Sequence, residues 1–274
     1  MIGGGVMGDA IIRGSLRAMV TTPGDWVVAE PDEGKRAAFE AIGVAVVGSS
    51  ADLARWLGPR TQVILAVKPQ YFEAVARESA GLDWGRVVIS ILAGIPSARI
   101  RAALVGGSGA DGKGGARVVR AMSNISARIG EGATGVALGA GARAGDEALA
   151  LALFRGIGPL VERIEESLMD AFTAVAGSGP AYLFYLAEAM TRAAVELGFE
   201  ASMADRVVRQ TLRGAGALLG SEAERSPVEL RGAVTSKGGT TAAATAVLDA
   251  AGVMEAFVRA LTAARDRGRE LAKE

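Results

Sequence analysis

The sequence predicts an α/β domain followed by an all-α domain. Three observations carry that expectation: a glycine-rich motif at the start, apolar runs alternating with helical periods through residues 1–163, and loss of the strand pattern from Glu165 onward. The chain opens MIGGGVMG, with Gly3, Gly5 and Gly8 at G-x-G-x-x-G spacing. Between a strand and a helix, such a turn lets backbone N–H groups approach a dinucleotide pyrophosphate. Only Met1 and Ile2 precede it. The first strand is therefore expected to be truncated, with its remainder upstream of a sequence that starts late. Neighbouring strands are expected to hold the turn in place.

The elements that follow alternate. DAIIRGSLRAM puts Ile11, Ile12, Leu16 and Met19 on one helical face. TTPGD breaks the chain, and WVVAE reads as a strand ended by Pro31 and Asp32. KRAAFEAI reads as a helix, VAVV as a strand and ADLARWL as a helix; QVILAV is the most strand-like run in the chain. YFEAVARESA, RVVISIL and PSARIRAAL continue as helix, strand and helix. Strict alternation predicts a parallel sheet covered on both faces, with ligand loops at the strands' C-terminal ends. The first domain, residues 1–163, is thus expected to be an α/β Rossmann-type dinucleotide-binding domain with a truncated first strand.

Glu30, ending WVVAE, stands where an acid about 20 residues past the glycine turn meets the adenosine ribose. A carboxylate there accepts from the ribose hydroxyls and repels a 2′-phosphate, which tilts toward NADH. Lys35 and Arg36 argue for NADPH, and an exposed turn acid is the alternative reading of Glu30. Further on, GSGADGKG imitates a phosphate-binding loop from Gly107 to Lys113. Gly114 occupies the position of the magnesium-ligating Ser or Thr, and neither strand nor helix flanks the motif. Residues 106–115 are read as a flexible surface loop.

In the second domain, residues 164–274, the period is helical. ESLMDAFTAVAGSGPAYLFYLAEAMTRAAVELG reads as two helices joined at GSGP, where Gly177 and Gly179 suit a sharp turn and Pro180 a first helical turn. ADRVVRQTLRGAGALLG, SPVELRGAV, TAAATAVLDAAG and MEAFVRALTAARDRGREL supply four more helices. PAYLFYLAEAM is apolar around its whole circumference, too apolar for a monomer's surface. It is expected to be buried against a second copy in a two-fold dimer, the alternative being burial within one subunit.

Composition narrows the chemistry. Half of the 274 residues are apolar and only 5% aromatic, so the core is expected to be aliphatic. Thirty basic residues balance thirty acidic ones, which gives no net field for nucleic acid or an anionic membrane. There is no apolar run of transmembrane length and no signal-peptide pattern. Cysteine is absent, which excludes disulfide and thiolate chemistry and suits a cytoplasmic protein. Histidine is also absent, excluding His-based nucleophile activation and imidazole metal sites; no acid cluster has ligand spacing, so no metal is expected. The chemistry is expected to come from a bound cofactor.

Over essentially its whole length the chain resembles the pyrroline-5-carboxylate reductases. DAFTAVAGSGPAYLF (residues 170–184), SPVELRGAVTSKGGTTAAATAVLDAAG (226–252) and AVKP (66–69) carry the likeness. The resemblance implies an NADPH- or NADH-dependent reduction of 1-pyrroline-5-carboxylate to L-proline, and a homo-oligomer built from dimers. Hydride passes from nicotinamide to a cyclic imine, so alignment of two rings supplies much of the acceleration. By motif position, Thr241 hydrogen-bonds the imine nitrogen. Gly238 and Gly239 allow close backbone approach, and the helix beginning near Thr240 offers its N–H groups to the substrate carboxylate. The helix dipole adds about 0.3–1 kcal/mol. Ser236 and Thr240 add hydroxyls, and Glu224 matches an acid near the substrate.

For the cofactor, Ile2, Gly3, Gly4, Gly5, Val6, Met7 and Gly8 wrap the pyrophosphate, while Glu30 and Ser50 serve the adenosine side. Ala66, Val67, Lys68 and Pro69 pass along the nicotinamide, with Lys68 read as holding the loop or cofactor rather than as an acid. Ala93, Gly94, Met122 and Asn124 complete the pocket. The chain departs from the family's M-P-N-T-P at MSNIS, where Ser123 and Ser126 replace prolines and Ile125 replaces Thr; this is expected to loosen the loop. Lys237 replaces a frequent Pro. These departures leave two alternatives: a reductase of another cyclic imine or a β-hydroxyacid, and a catalytically weak dinucleotide-binding paralogue.

Overall fold

The computed structural model describes residues 1–104 and 115–272. Of the predicted loop at 106–115, only Gly115 lies among them.

Helix α1 (Val6–Arg17) follows the glycine turn and buries Ile11 and Ile12 completely. Leu16 packs against the same core, but Met19 does not: it is 90% exposed at φ +54°. The helix has ended. Met19 N–H bonds Leu16 O and Val20 N–H bonds Ser15 O, closing a Schellman turn with Met at the left-handed position glycine usually takes.

Next come β1 (Val27–Ala29), α2 (Glu33–Glu40) and β2 (Ala45–Val47), with Asp32 capping α2 by accepting from Lys35 N–H. ADLARWL forms a 3-10 helix, Ala51–Trp56, rather than an α-helix. Strands β3 (Val63–Leu65) and β4 (Val87–Ser90) are buried along their whole length, as parallel strands covered on both faces should be. Between and after them lie α3 (Phe72–Glu78) and α4 (Ser97–Ala103). Strands β5 (Arg117–Met122), β6 (Ala133–Leu138) and β7 (Leu160–Arg163), with α5 (Ala148–Arg155) before β7, complete the sheet. Strands β3, β4 and β5 run parallel; β6 pairs antiparallel with β5, breaking the strict alternation, and β7 parallels β6.

The strand expected before the glycine turn is one residue long. Ile2 bridges in parallel to Ala29 on one side and Leu65 on the other, joining the β1–β2 pair to the five-stranded run. Ile2 N–H bonds Ile64 O at 2.8 Å, and Gly3 N–H bonds Ala29 O at 2.9 Å. The neighbouring strands thus fix the glycine turn.

The helical part begins with α6 (Met169–Phe172), which widens into a π-helical stretch, Thr173–Gly177, before α7 (Gly179–Glu196). The sharp turn expected at GSGP is therefore a bulged helical passage. Helices α8 (Ala201–Ser221), α9 (Pro227–Ala233), α10 (Thr240–Ala250) and α11 (Val253–Leu271) follow. Helix α9 starts on a capping box, with Ser226 Oγ accepting from Glu229 N–H and Glu229 accepting from Ser226 N–H at 2.8 Å.

The chain forms two compact units: Met1–Gly179 with Thr262–Glu274, and Pro180–Leu261. The first holds the hydrophobic core, around Ile11, Ile12, Val28, Ile89 and Phe154 on one face of the sheet and Leu65, Phe72, Trp84 and Ile100 on the other. Among the described residues of the second, only Ala204 and Val208 are buried. No single helix among the described residues is long and apolar enough to cross a membrane.

Candidate active site

Each glycine of the opening turn does a different job. Gly3 sits at φ +96°, and a Cβ there would come within 2.8 Å of the Ala66 carbonyl. Gly4 lies against Phe39, whose ring a Cβ would meet at 2.6 Å. A Cβ on Gly8 would come within 2.6 Å of the Gly3 carbonyl oxygen, so no side chain fits there. Gly5 has nothing within 4 Å of its Cβ position and is the N-cap of α1 with no side-chain cap. The turn therefore presents open backbone at a helix N-terminus, the arrangement a pyrophosphate needs. The residues present fit a dinucleotide.

Beside it opens a cavity of about 650 Å³ lined by Ile2, Gly3, Gly5, Glu30, Ser50, Ala66, Val67 and Lys68. Eight residues singled out in the sequence thus meet in one place. Asp32, Tyr71 and Glu78 also line it and were not singled out. The signal for Glu78 is a contact 28 residues distant: Ser50 N–H donates to its carboxylate at 3.2 Å and Ser50 Oγ bonds the same oxygen.

Glu30 is not an exposed turn acid. It is 5% exposed; one carboxylate oxygen accepts from Gly4 N–H at 2.7 Å and the other from Asp32 N–H at 3.1 Å. The acid at the end of β1 braces the glycine turn itself. Lys35 Nζ lies 3.5 Å from Glu30 Oε1, and Arg36 donates to the Glu30 and Pro31 carbonyls, so cations lie beside the Glu30 end of the cavity.

The C-terminal ends of β3, β4 and β5 carry the remaining cofactor candidates. Ala66 and Val67 are half-buried, and Lys68 and Pro69 are exposed. Gly94 is buried at φ +71°, and a Cβ on it would meet Leu271 at 3.0 Å, so Gly94 faces α11. Met122 is buried. Asn124 Nδ2 donates to Ala176 O at 3.1 Å, and Thr134 Oγ1 donates to Ser123 Oγ at 2.9 Å. The MSNIS loop is therefore pinned by side-chain bonds, one of them made by the Ser that replaces a proline.

In the second unit, the α9–α10 turn brings Ser236, Gly238, Gly239, Thr240 and Thr241 together. Gly238 is at φ +72°, and Gly239 is the N-cap of α10, again with no side-chain cap. Gly239 N–H bonds Ser236 O at 3.0 Å, and a Cβ on Gly239 would overlap the Ser236 hydroxyl. Thr240 and Thr241 form the first turn of α10, whose free N–H groups suit a carboxylate. Glu224 is exposed in the turn before α9, with no ion pair among the described residues.

Fold and site together define a dinucleotide-binding oxidoreductase followed by a helical dimerisation domain. Residues 1–94 match the family described as NADP oxidoreductase, coenzyme F420-dependent, and residues 166–271 match pyrroline-5-carboxylate reductase dimerisation. A pyrroline-5-carboxylate reductase of Methanosarcina acetivorans is 36% identical over 275 residues, covering 100% of this chain and 97% of the relative. That of Thermus thermophilus is 38% identical over 98% of this chain and 97% of its own length. The structure of the Coxiella burnetii reductase superposes with a TM-score of 0.82 at 33% identity, covering 100% of this chain and 97% of that one. The chain belongs to the pyrroline-5-carboxylate reductase family, whose members are oxidoreductases of proline biosynthesis.

Proposed function

We propose that the chain performs the reaction its family membership gives it, reduction of 1-pyrroline-5-carboxylate to L-proline, chiefly by aligning two bound molecules. The observation that carries this is the pair of uncapped, glycine-led helix N-termini, one at α1 beside a nucleotide-sized cavity and one at α10 beside paired threonines. Bound at the first, NADPH or NADH supplies the hydride. The turn from Ile2 through Gly4, Gly5, Val6, Met7 and Gly8 holds the pyrophosphate. Glu30 and Ser50 shape the adenosine end, where Lys35 beside Glu30 favours acceptance of a 2′-phosphate. Lys68 and Pro69 hold the strand-end loop, and Ala93, Met122 and Asn124 bound the reactive end.

At the second, N–H groups of α10 and the Ser236 and Thr240 hydroxyls hold the substrate carboxylate, and the Thr241 hydroxyl bonds the imine nitrogen. Glu224 stands near the substrate. No histidine is required, because orientation and hydrogen bonding replace a titrating side chain. The boundary between the two functions falls at residues 163–164 on this reading, supported by the dimerisation match that starts at residue 166, whereas the compact units divide at Gly179–Pro180, with residues 164–179 and Thr262–Glu274 in the first. The partner of the dimerisation domain is a second copy, with dimers assembling further, and the cysteine-free enzyme works in the cytoplasm.

Steady-state reduction of pyrroline-5-carboxylate with NADPH and NADH, beside Thr241→Ala, tests the reading. The variant should lose about 10²-fold in kcat/KM while binding nucleotide as before. An unchanged kcat/KM would remove Thr241 from the site. Intact nucleotide binding without turnover by the wild type would overturn the assignment of substrate.

A further inference from the structure

Arg120, in β5, is the centre of a buried cluster of charged groups that lies outside the lining of the nucleotide cavity. Its side chain is 6% exposed. Burial works against the guanidinium charge, and Glu166 and Asp170 sustain it. Arg120 Nη1 lies 3.4 Å from Glu166 Oε1. The Glu166 carboxylate is shared. Its Oε1 accepts from Ser97 N–H at 2.8 Å and its Oε2 from Ser97 Oγ–H at 2.5 Å, while Ser97 Oγ accepts from Ala140 N–H at 2.8 Å. The start of α4, the middle of β5 and the loop after β6 thus close on one carboxylate of the segment that leads into α6.

A buried ion pair contributes little net stability, because desolvating the two charges offsets their attraction. What it can supply is a fixed geometry, and here the neighbouring residues are those of the reactive end. Ser97 follows Gly94 by three residues. Met122 lies two residues past Arg120 on the same face of β5, with its Sδ 3.6 Å from the Cβ position of Gly177. The last turns of α11 meet both sides of the cluster: the Cβ position of Gly268 is 3.3 Å from Asp170 Oδ1, and that of Gly94 is 3.0 Å from Leu271. We propose that Arg120 is a positioning residue of the reductase: held on Glu166, it sets the spacing between the strand-end loops at Ala93–Gly94 and Met122 and the helical passage from Glu166 to Gly177. Enclosed as it is, Arg120 acts through these loops and not on a bound molecule. Where hydride transfer depends on alignment, a displacement of about 1 Å costs on the order of 10²-fold in rate. The proposal rests on the reductase reading above.

Wild type, Arg120→Met, Arg120→Lys and Glu166→Gln are compared in melting temperature, NADPH affinity and steady-state reduction of pyrroline-5-carboxylate. Arg120→Met should lower kcat about 10–100-fold, while NADPH affinity and the KM for the imine stay within about threefold. Arg120→Lys keeps the charge but not the planar fork, and should recover part of the lost kcat. Glu166→Gln can keep both Ser97 bonds and removes only the charge; its kcat should fall about tenfold with little change in melting temperature. A kcat in Arg120→Met that falls only with the folded fraction would overturn the proposal, as would an Arg120→Lys no more active than Arg120→Met. A loss of NADPH affinity that matches the loss of kcat would overturn it in favour of a role in the nucleotide site. Should Arg120→Met fail to fold, Glu166→Gln decides alone, and wild-type kcat there would overturn the proposal. Absence of turnover by the wild type would instead remove the reductase reading, and this proposal with it.

Discussion

The two compact units solve the problem of stability in opposite ways. Met1–Gly179, with the end of α11, gathers Ile11, Ile12, Val88, Ile89, Trp84 and Phe154 into a core at 1% exposure or less. Pro180–Leu261 leaves Phe184 66%, Tyr185 75%, Val247 68% and Val258 68% exposed. Full burial of one such side chain contributes about 1.5–3 kcal/mol. The first unit collects that stabilisation from its own residues; the helical unit has the same kind of side chains and leaves them on its surface. Its core must therefore be completed from outside, which is what a dimerisation domain requires.

The sharpest way to break this contrast is to charge the exposed face of α7. Phe184→Glu combined with Tyr185→Glu should abolish dimerisation at micromolar concentration, measured by light scattering, and take reductase activity below about 1% of wild type. Nucleotide binding by titration should change little, because the glycine turn belongs to the other unit. A variant that stays dimeric and active would show that the helical unit is completed some other way.

A paired substitution within the glycine turn separates stability from binding inside the first unit. In Gly8→Ala the new methyl must displace the Gly3 carbonyl, and chemical denaturation should show a loss of about 1–3 kcal/mol. Gly5→Ala adds a methyl in open space, so stability should fall by at most about 1 kcal/mol, the cost of an Ala N-cap. NADPH affinity should nevertheless drop at least about tenfold, since the methyl stands where the pyrophosphate approaches. Equal destabilisation by both would contradict the division of labour among these glycines.

The smallest effect concerns acid. The Glu147 carboxyl is held below its usual range by its own backbone N–H, by Gly145 N–H and by Arg163. A carboxylate with a depressed folded-state pKa stabilises the fold above the unfolded value, and that contribution vanishes as pH falls through the folded one. Glu147→Gln should thus lower the melting temperature slightly at pH 7, by no more than about 1 kcal/mol equivalent. Below the carboxylate's ordinary 4.5 the gap from wild type should close. The dimer's dissociation midpoint should not move, because Glu147 belongs to the unit that supplies its own core.

Much of this was legible from local pattern. The turn at Gly3, Gly5 and Gly8, the helix after it and the strands WVVAE, VAVV, QVILAV and RVVISIL all announce themselves within a few residues. What escaped depends on distance or on subtle backbone choice. Glu30 stands at the spacing of a ribose acid, while its bond to Gly4 joins residues 26 positions apart. Met19 fits the helical period and is excluded from the core only because the chain turns left-handed there. Residues 173–177, TAVAG, are ordinary helix formers, and nothing in their chemistry announces a π-helical stretch. The antiparallel β6 contains Ala, Gly and Thr beside its apolar residues and lies outside the β–α alternation that exposed its neighbours. In the helical half, the all-round apolar character of PAYLFYLAEAM was readable, and so was the need for a partner it implies.

The near-absence of buried side chains in Pro180–Leu261 has a further consequence for how the molecule is made. If, as proposed, a second copy completes this unit's core, the unit cannot finish folding on a single chain. Its maturation would then be second order, faster where newly made copies are crowded together and slower where they are scarce. Two chains of different sequence that share this face would be joined as readily as two alike, so a defective copy would carry a sound one into a shared, half-working assembly.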